Sequence, residues 1–193
     1  MPVRVVIAED EAIIRLDLKE ILEDEGYEIV GETGRGDEAV DLVRKHHPDL
    51  AILDIKMPGM DGLTAAREIT GERLAAVLIL TAFSQRDLID QAKEAGALAY
   101  LVKPFQRSEL IPQMEIALGR FQEMKVLAQQ VESLEEQLEI RKLVERAKGM
   151  LMDELGLKEV EAFNWIQKTA MRERLLMKEI ARRVIEDGLR PET

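Results

Sequence analysis

The chain has 193 residues, of which 46% are hydrophobic and 34% charged, so it has room for one large domain or two modest ones. It contains no cysteine, which excludes a disulfide scaffold, a thiolate metal site and a cysteine nucleophile. No apolar stretch approaches the length of a membrane span, so a cytoplasmic protein is expected.

Charge is divided unevenly along the chain. Residues 1–139 hold 15 basic and 28 acidic side chains, whereas residues 140–190 hold 12 basic and 9 acidic ones. An acidic body with a mildly basic end suggests two separate roles. The excess of three positive charges is, by itself, a weak indication of nucleic-acid binding.

The first 105 residues alternate short apolar runs with helical patterns. The runs that predict strands are RVVIA (4–8), YEIVGE (27–32), LAILD (50–54), AAVLIL (75–80) and LAYLV (98–102). They are apolar without alternation, which is typical of strands covered on both faces of a parallel sheet. The sequence therefore predicts an α/β domain with a doubly wound, five-stranded parallel sheet over residues 1–120.

A different pattern begins at Gln106, with no further strand-like run. Apolar residues spaced three and four apart predict one seam of a linker helix over 113–140, a short coiled coil that could form a dimer: Met124, Leu127, Val131, Leu134 and Leu138. The seam covers only about two heptads, so a long helix packed on its own domain remains the alternative.

Residues 135–190 predict a small all-α domain of three helices. The first runs on to Gly156, the second covers 158–174, and the third covers 175–188 with its start poorly defined, because no capping residue precedes it. The predicted core of this domain consists of apolar side chains at helical spacing, among them Ala147, Leu151, Val160, Phe163, Ile166 and Ala170.

Polar residues stand at the ends of four of the predicted strands. Glu9 and Asp10 follow the first, Asp54 ends the third, Thr81 follows the fourth and Lys103 follows the fifth. Because the carboxyl ends of parallel strands meet at one edge of the sheet, these side chains should converge. Taken singly, each acid could instead be a turn former or a helix cap.

Three carboxylates at close quarters repel one another unless a cation lies among them. Oxygen ligands suit a hard divalent ion, so we expect Mg²⁺ as the cofactor, with Lys103 as a further positive charge. Mg²⁺ would let an anionic donor approach Asp54, whose carboxylate could then accept a phosphoryl group. Thr81 and Lys103 could bind the oxygens of that group.

Residues 1 to about 120 resemble the receiver domain of two-component response regulators. The motifs that carry the resemblance are AEDE (8–11), LDIKMPGMDG (53–62), LTA (80–82) and YLVKPF (100–105). The resemblance implies phosphorylation of Asp54 by a sensor histidine kinase. It assigns metal binding to Asp10, Asp54, the main-chain carbonyl of Lys56 and, through water, Glu9. It also implies that Thr81 and Tyr100 form a switch, that Lys103 senses the phosphate, and that the Lys103–Pro104 peptide is cis.

The basic end carries an aromatic residue beside cations. Trp165, Lys168 and Arg172 share one helical face, which Arg146, Lys148 and Arg174 could extend. Cations contact phosphates and an exposed ring can stack on an unpaired base, so this face is a candidate surface for RNA loops. The alternative is that Trp165 packs against the third helix and the cations are merely solvated.

Residues from about 135 to 188 resemble the ANTAR domain, an RNA-binding module of transcription antiterminators. The motifs are AKGMLM (147–152), GL (156–157), EAFNWIQKTAM (161–171) and MKEIARRVI (177–185). The resemblance implies dimers that bind paired RNA stem-loops in nascent transcripts and so prevent a terminator from forming.

The sequence therefore predicts a response regulator that is not an enzyme and that acts on RNA after phosphorylation. A DNA-binding or protein-docking regulator is one alternative. A magnesium-dependent phosphohydrolase with an aspartyl-phosphate intermediate is another, but such enzymes usually carry a second acid where this chain has Lys56.

Overall fold

Five parallel strands form one sheet, as the apolar runs predict. They are Arg4–Ala8 (β1), Glu28–Thr33 (β2), Leu50–Asp54 (β3), Ala76–Thr81 (β4) and Ala99–Val102 (β5). The strand order is β2-β1-β3-β4-β5, so the chain reverses its direction of winding beside β1. This doubly wound order brings the carboxyl ends of β1 and β3 next to each other, where ligands of such sheets bind.

The structure is a computed structural model and describes residues 2–82 and 86–191. Its helices are Ala12–Asp24 (α1), Gly36–His46 (α2), Gly62–Gly71 (α3), Arg86–Glu94 (α4), Arg107–Leu155 (α5), Glu159–Glu173 (α6) and Met177–Glu186 (α7). The chain divides into two compact units, residues 1–125 and 126–193, each with its own core.

Helices cover both faces of the sheet in the first unit. Alternate β1 residues point to opposite faces, so Val6 packs with α2, α3 and α4, whereas Ile7 packs with α1 and the start of α5. The strand residues of β3 and β4 are all buried. This two-sided burial explains why these strands are apolar throughout rather than alternating.

The second unit consists of the end of α5 with α6 and α7. Its core includes Val144, Ala147, Leu151, Ala162, Ile166, Ala170, Ile180, Ala181 and Val184. The turn between α5 and α6 begins at Gly156, whose φ of +65° suits glycine. The third helix lacks a side-chain cap, but Glu179 accepts a hydrogen bond from the main-chain N–H of Leu176 and so satisfies one donor at the helix start.

The prediction that Val160 and Phe163 belong to the core of this unit is wrong. Val160 is 68% exposed and Phe163 is 38% exposed, whereas Ala162 and Thr169 are buried. The packed face of α6 is rotated toward the small side chains of Ala162 and Ala170, which allow neighbouring helices to approach closely.

Within residues 2–82 and 86–191, no helix combines the length and the apolar character needed to span a bilayer.

Candidate functional site

Four strand ends bring the polar residues to one edge of the sheet. Glu9 and Asp10 follow β1, and Asp54 ends the neighbouring β3, where it pairs in register with Leu80 of β4. Thr81 ends β4 and Lys103 follows β5. The structure therefore places at one edge the side chains that the sequence assigned to a single site.

Three of these residues form a carboxylate cluster, which we define as Glu9, Asp10 and Asp54. One carboxylate oxygen of each lies within 4.8 Å of the others. Glu9 is completely buried and Asp54 is 6% exposed, while Asp10 lies at the surface. The cluster is thus open on the side of Asp10, where a solute can enter.

Lys103 is the cation that holds the two buried acids. Its Nζ lies 2.6 Å from Oε2 of Glu9 and 3.2 Å from Oδ1 of Asp54, and its side chain is only 9% exposed. Beyond this ion pair, Oε2 of Glu9 accepts no hydrogen bond from the described part of the chain. The stem of Lys103 is therefore enclosed while its ammonium group contacts both acids.

The cluster is short of positive charge. Burial raises the pKa of Glu9 and of Asp54, and Lys103 opposes that effect. Burial would lower the pKa of Lys103, but its contacts with the two acids raise it instead. Three carboxylates and one ammonium group leave two formal negative charges, which a divalent cation with oxygen ligands would balance, so the donor set fits Mg²⁺.

The loop after β3 is built to hold Asp54 in place. Gly62 lies so close to the main chain that a Cβ there would come 1.9 Å from the carbonyl oxygen of Asp54. Its N–H donates to the carbonyl of Ile55 at 2.8 Å. Asp61 caps α3 by accepting hydrogen bonds from the N–H groups of Leu63 and Thr64, both at 3.0 Å. Of the two aspartates that flank this loop, Asp61 therefore caps α3, whereas Asp54 belongs to the carboxylate cluster.

The residues assigned to the switch lie beside the cluster. Thr81 is completely buried, and a hydrogen bond joins its side chain to that of Tyr100, which is half-buried. The Lys103–Pro104 peptide is cis. The Lys56 side chain is exposed in the loop after Asp54, and the role of its main-chain carbonyl stays a prediction.

The residues predicted to bind RNA do not all share one exposed surface. Arg146, Lys168, Arg172 and Arg174 are exposed. Trp165 is half-buried and packs on the core of the second unit, which agrees in part with the alternative interpretation of that residue.

Lys148 is the exception among the predicted cations. It is 5% exposed, and its Nζ donates to Glu145 of α5 at 2.9 Å and to Glu159 of α6 at 2.8 Å. These bonds raise the pKa of Lys148 and lower that of Glu159. The placement argues against a contact of Lys148 with RNA and indicates that it joins α5 to the start of α6. Sequence reasoning missed the role of Glu145, although its position three residues before Lys148 on a helix was a usable signal.

Replacing Lys148 with methionine should lower the thermal midpoint of the second unit, because two carboxylates lose their shared cation. Circular dichroism of the full chain measures the effect. Lys168→Met, on the exposed side of α6, is the matched control and should leave the midpoint unchanged. A Lys148→Met protein with normal stability and weakened RNA binding would contradict this assignment.

Known protein families match both units of the chain. Residues 5–115 match the response regulator receiver domain, and residues 132–185 match the ANTAR domain. The transcriptional regulatory protein PdtaR of Mycobacterium tuberculosis is 57% identical over 186 residues, which cover 96% of this chain and 91% of that protein.

Other relatives match the first unit. The chemotaxis protein CheY of Bacillus subtilis is 38% identical over 56% of this chain and 91% of its own length. The receiver domain of the response regulator NarL from Mycobacterium tuberculosis superimposes with a TM-score of 0.59 and 32% identity, covering 61% of this chain and 97% of that domain. The chain belongs to the response regulators of two-component systems; it combines a receiver domain with an ANTAR domain and acts as an RNA-binding transcription antiterminator.

Proposed function

We propose that Asp54 is the residue of this regulator that accepts the phosphoryl group. The observation that carries the proposal is the contact of a nearly buried Asp54 with Lys103, beside two further acids at the open edge of the sheet. An Asp54 oxygen attacks the phosphorus, the bond to the donor's nitrogen or oxygen breaks, and the donor leaves with that electron pair. A phosphohistidine of a sensor kinase is the proposed donor.

Mg²⁺ is the proposed cofactor of this transfer. Asp10, Asp54 and the main-chain carbonyl of Lys56 would hold the ion, and Glu9 would reach it through water. When bound, the ion neutralises the charge that develops on the transferring phosphoryl oxygens. A related structure supports this assignment: one chain of the CheX–CheY–BeF₃–Mg²⁺ complex from Borrelia burgdorferi is 29% identical to this chain, with a TM-score of 0.57.

Phosphorylation would change the contacts of Thr81. A phosphoryl group brings close to two negative charges and three acceptor oxygens to Asp54. Thr81 would donate to one oxygen, and Lys103 would pair with another. In this structure a hydrogen bond joins the side chains of Thr81 and Tyr100. A shift of Thr81 toward the phosphoryl group would break that bond and allow the tyrosine ring to turn.

The seam on α5 offers a route from phosphorylation to dimerisation. Its five apolar side chains are 53–64% exposed, which does not fit a helix packed on its own domain: Met124, Leu127, Val131, Leu134 and Leu138. Heptad spacing places Val131 at an a position and Leu127 and Leu134 at d positions. A β-branched residue at a with leucine at d favours a parallel coiled coil of two helices. We therefore propose a homodimer formed through the linker helix at 113–140.

RNA binding would involve the exposed part of the predicted surface. Arg146, Lys168, Arg172 and Arg174 provide positive charge, and the half-buried Trp165 lies on α6 with Lys168 and Arg172. These side chains would bind phosphates and an unpaired base of a stem-loop, within an RNA-binding domain at 135–190. The protein would act in the cytoplasm, where nascent transcripts are found.

The test of the proposed function is RNA affinity before and after phosphorylation. Crosslinking of the full-length protein to total cellular RNA, with and without a small phosphodonor and Mg²⁺, identifies the bound transcripts. Stem-loop RNA should compete for the protein better than duplex DNA, and affinity for RNA should rise on phosphorylation. Equal binding to the DNA, or RNA affinity unchanged by phosphorylation, would contradict the proposal.

Lys103→Met should shift the pH dependence of phosphorylation. Lys103 opposes the burial that raises the pKa of Asp54, so its loss raises that pKa further. Only the carboxylate form attacks phosphorus, and labelling is therefore lost as pH falls through this pKa. The acid limb of the rate profile should move to higher pH, measured as initial labelling rates at saturating Mg²⁺.

The matched control for this profile is Lys93→Met. Lys93 is 73% exposed on α4 and pairs only with Asp90 among the described residues. Its profile should follow that of the wild type. An acid limb in Lys103→Met that superimposes on the wild-type curve would contradict the role assigned to Lys103.

A further inference from the structure

The main chain at the end of β1 is held from two sides. The N–H of Glu9 donates to the carbonyl of Thr33 at 3.0 Å. The carbonyl of Glu9 accepts a hydrogen bond from Nη1 of Arg15 at 2.5 Å. This carbonyl belongs to the peptide that joins Glu9 to Asp10, so the contact fixes the orientation of the link between the two acids.

The Arg15 side chain extends from the first turn of α1 to the end of β1, beside the loop after β2. A Cβ at Gly34 in that loop would come 3.4 Å from Nη1 of Arg15 and 3.5 Å from Cα of Asp10. The guanidinium group and the backbone of Asp10 therefore both lie beside this loop. Arg15 is half-buried and forms no ion pair within residues 2–82 and 86–191, so no carboxylate draws it away from the Glu9 carbonyl.

Arg15 therefore acts on the main chain rather than on an acidic side chain. Asp10 is exposed, and no hydrogen bond from the described residues holds its carboxylate. Without the Arg15 contact, the peptide between Glu9 and Asp10 could rotate, and the Asp10 carboxylate would move relative to Asp54. A charge-assisted hydrogen bond to a carbonyl is strong enough to restrict such rotation.

We propose that Arg15 is a positioning residue for phosphorylation, which fixes the Glu9–Asp10 peptide and so keeps the carboxylate cluster arranged for a divalent cation. The inference rests on the proposed function, since it assumes that the cluster binds Mg²⁺ before Asp54 is phosphorylated. Arg15 acts through Asp10, and its effect appears in the affinity for the ion.

The test is calorimetric titration of the full-length protein with Mg²⁺, without any phosphodonor. Arg15→Gln should weaken Mg²⁺ binding by about tenfold, the loss expected from one charge-assisted hydrogen bond. Arg15→Lys, which keeps the charge and one donor, should restore part of the affinity. Lys19→Gln removes the same charge one turn along α1, where Lys19 faces Glu32 at 3.6 Å, and should change the affinity by less than about twofold.

Labelling of Asp54 provides a second measurement. In Arg15→Gln, the Mg²⁺ concentration that gives half of the maximal labelling rate should rise, while the rate at saturating Mg²⁺ stays at the wild-type value. A lower maximal rate that Mg²⁺ does not restore would overturn the positioning role. Equal losses of affinity in Arg15→Gln and Lys19→Gln would overturn it as well, because net charge alone would then explain them.

The wild-type protein separates the two proposals. A wild type that takes up no Mg²⁺ and is not labelled would overturn the proposed function. If the wild type binds Mg²⁺ and is labelled, but the Arg15→Gln variant binds Mg²⁺ with unchanged affinity, only the role of Arg15 is overturned.

Discussion

Replacing Asp54 with asparagine is expected to abolish phosphorylation of the protein by a small phosphodonor in the presence of Mg²⁺. Asparagine has nearly the same shape, so the packing at the end of β3 should persist. Its neutral amide is not a competent nucleophile, and the cluster would lose one of its three negative charges for the cation. The incorporated phosphoryl group is measured by the intact mass of the full chain.

Asp41→Asn is the matched control for this experiment. Asp41 is exposed on α2 and takes no part in the carboxylate cluster. This variant should be labelled as fast as the wild type. Label that survives in the Asp54→Asn protein would reject Asp54 as the acceptor and direct attention to Asp10, the exposed acid of the cluster.

The receiver fold could be predicted from sequence because a few packing rules determine its geometry. Apolar runs in β3 and β4 require cover on both faces, and parallel strands require crossover helices. Once the strands are parallel, Glu9, Asp54 and Lys103 must end at one edge, whatever the details of packing. The contacts of Lys103 with both acids follow from that placement.

The second unit was less predictable because periodicity defines a helical face but not its exact rotation. Phe163 lies at the border of the packed face of α6, and helix–helix packing leaves it 38% exposed. The sequence predicted Lys148 to be an exposed cation, but in the structure it donates a hydrogen bond to Glu159 at the start of α6. Such contacts depend on tertiary structure, and no local sequence pattern encodes them.

Arg15 illustrates a further limit of sequence reasoning. Its partner is the main-chain carbonyl of Glu9, and every residue has a carbonyl, so side-chain patterns carry no signal of the contact. A basic residue one turn into the helix after an acid pair would ordinarily be interpreted as a solvated cation. Only the three-dimensional structure reveals that it reaches back to the end of β1.

Placing glutamate at both Leu127 and Leu134 is expected to keep the phosphorylated protein monomeric. Both leucines are at d positions and are 60% and 64% exposed, so the isolated chain loses little packing when they are replaced. In a parallel dimer each would face its own copy, and the new carboxylates would repel one another where apolar contact is needed. Analytical ultracentrifugation before and after phosphorylation measures the monomer–dimer equilibrium.

The same variant separates dimerisation from RNA binding. Two linked binding domains engage paired stem-loops more tightly than one, so the phosphorylated Leu127→Glu/Leu134→Glu protein should lose more than about tenfold in RNA affinity relative to the phosphorylated wild type. The matched control, Gln129→Glu with Ser133→Glu, adds the same charge at exposed positions off the seam, and should dimerise and bind RNA as the wild type does. If the seam variant stays monomeric yet gains RNA affinity on phosphorylation like the wild type, the signal must reach the ANTAR domain within one chain.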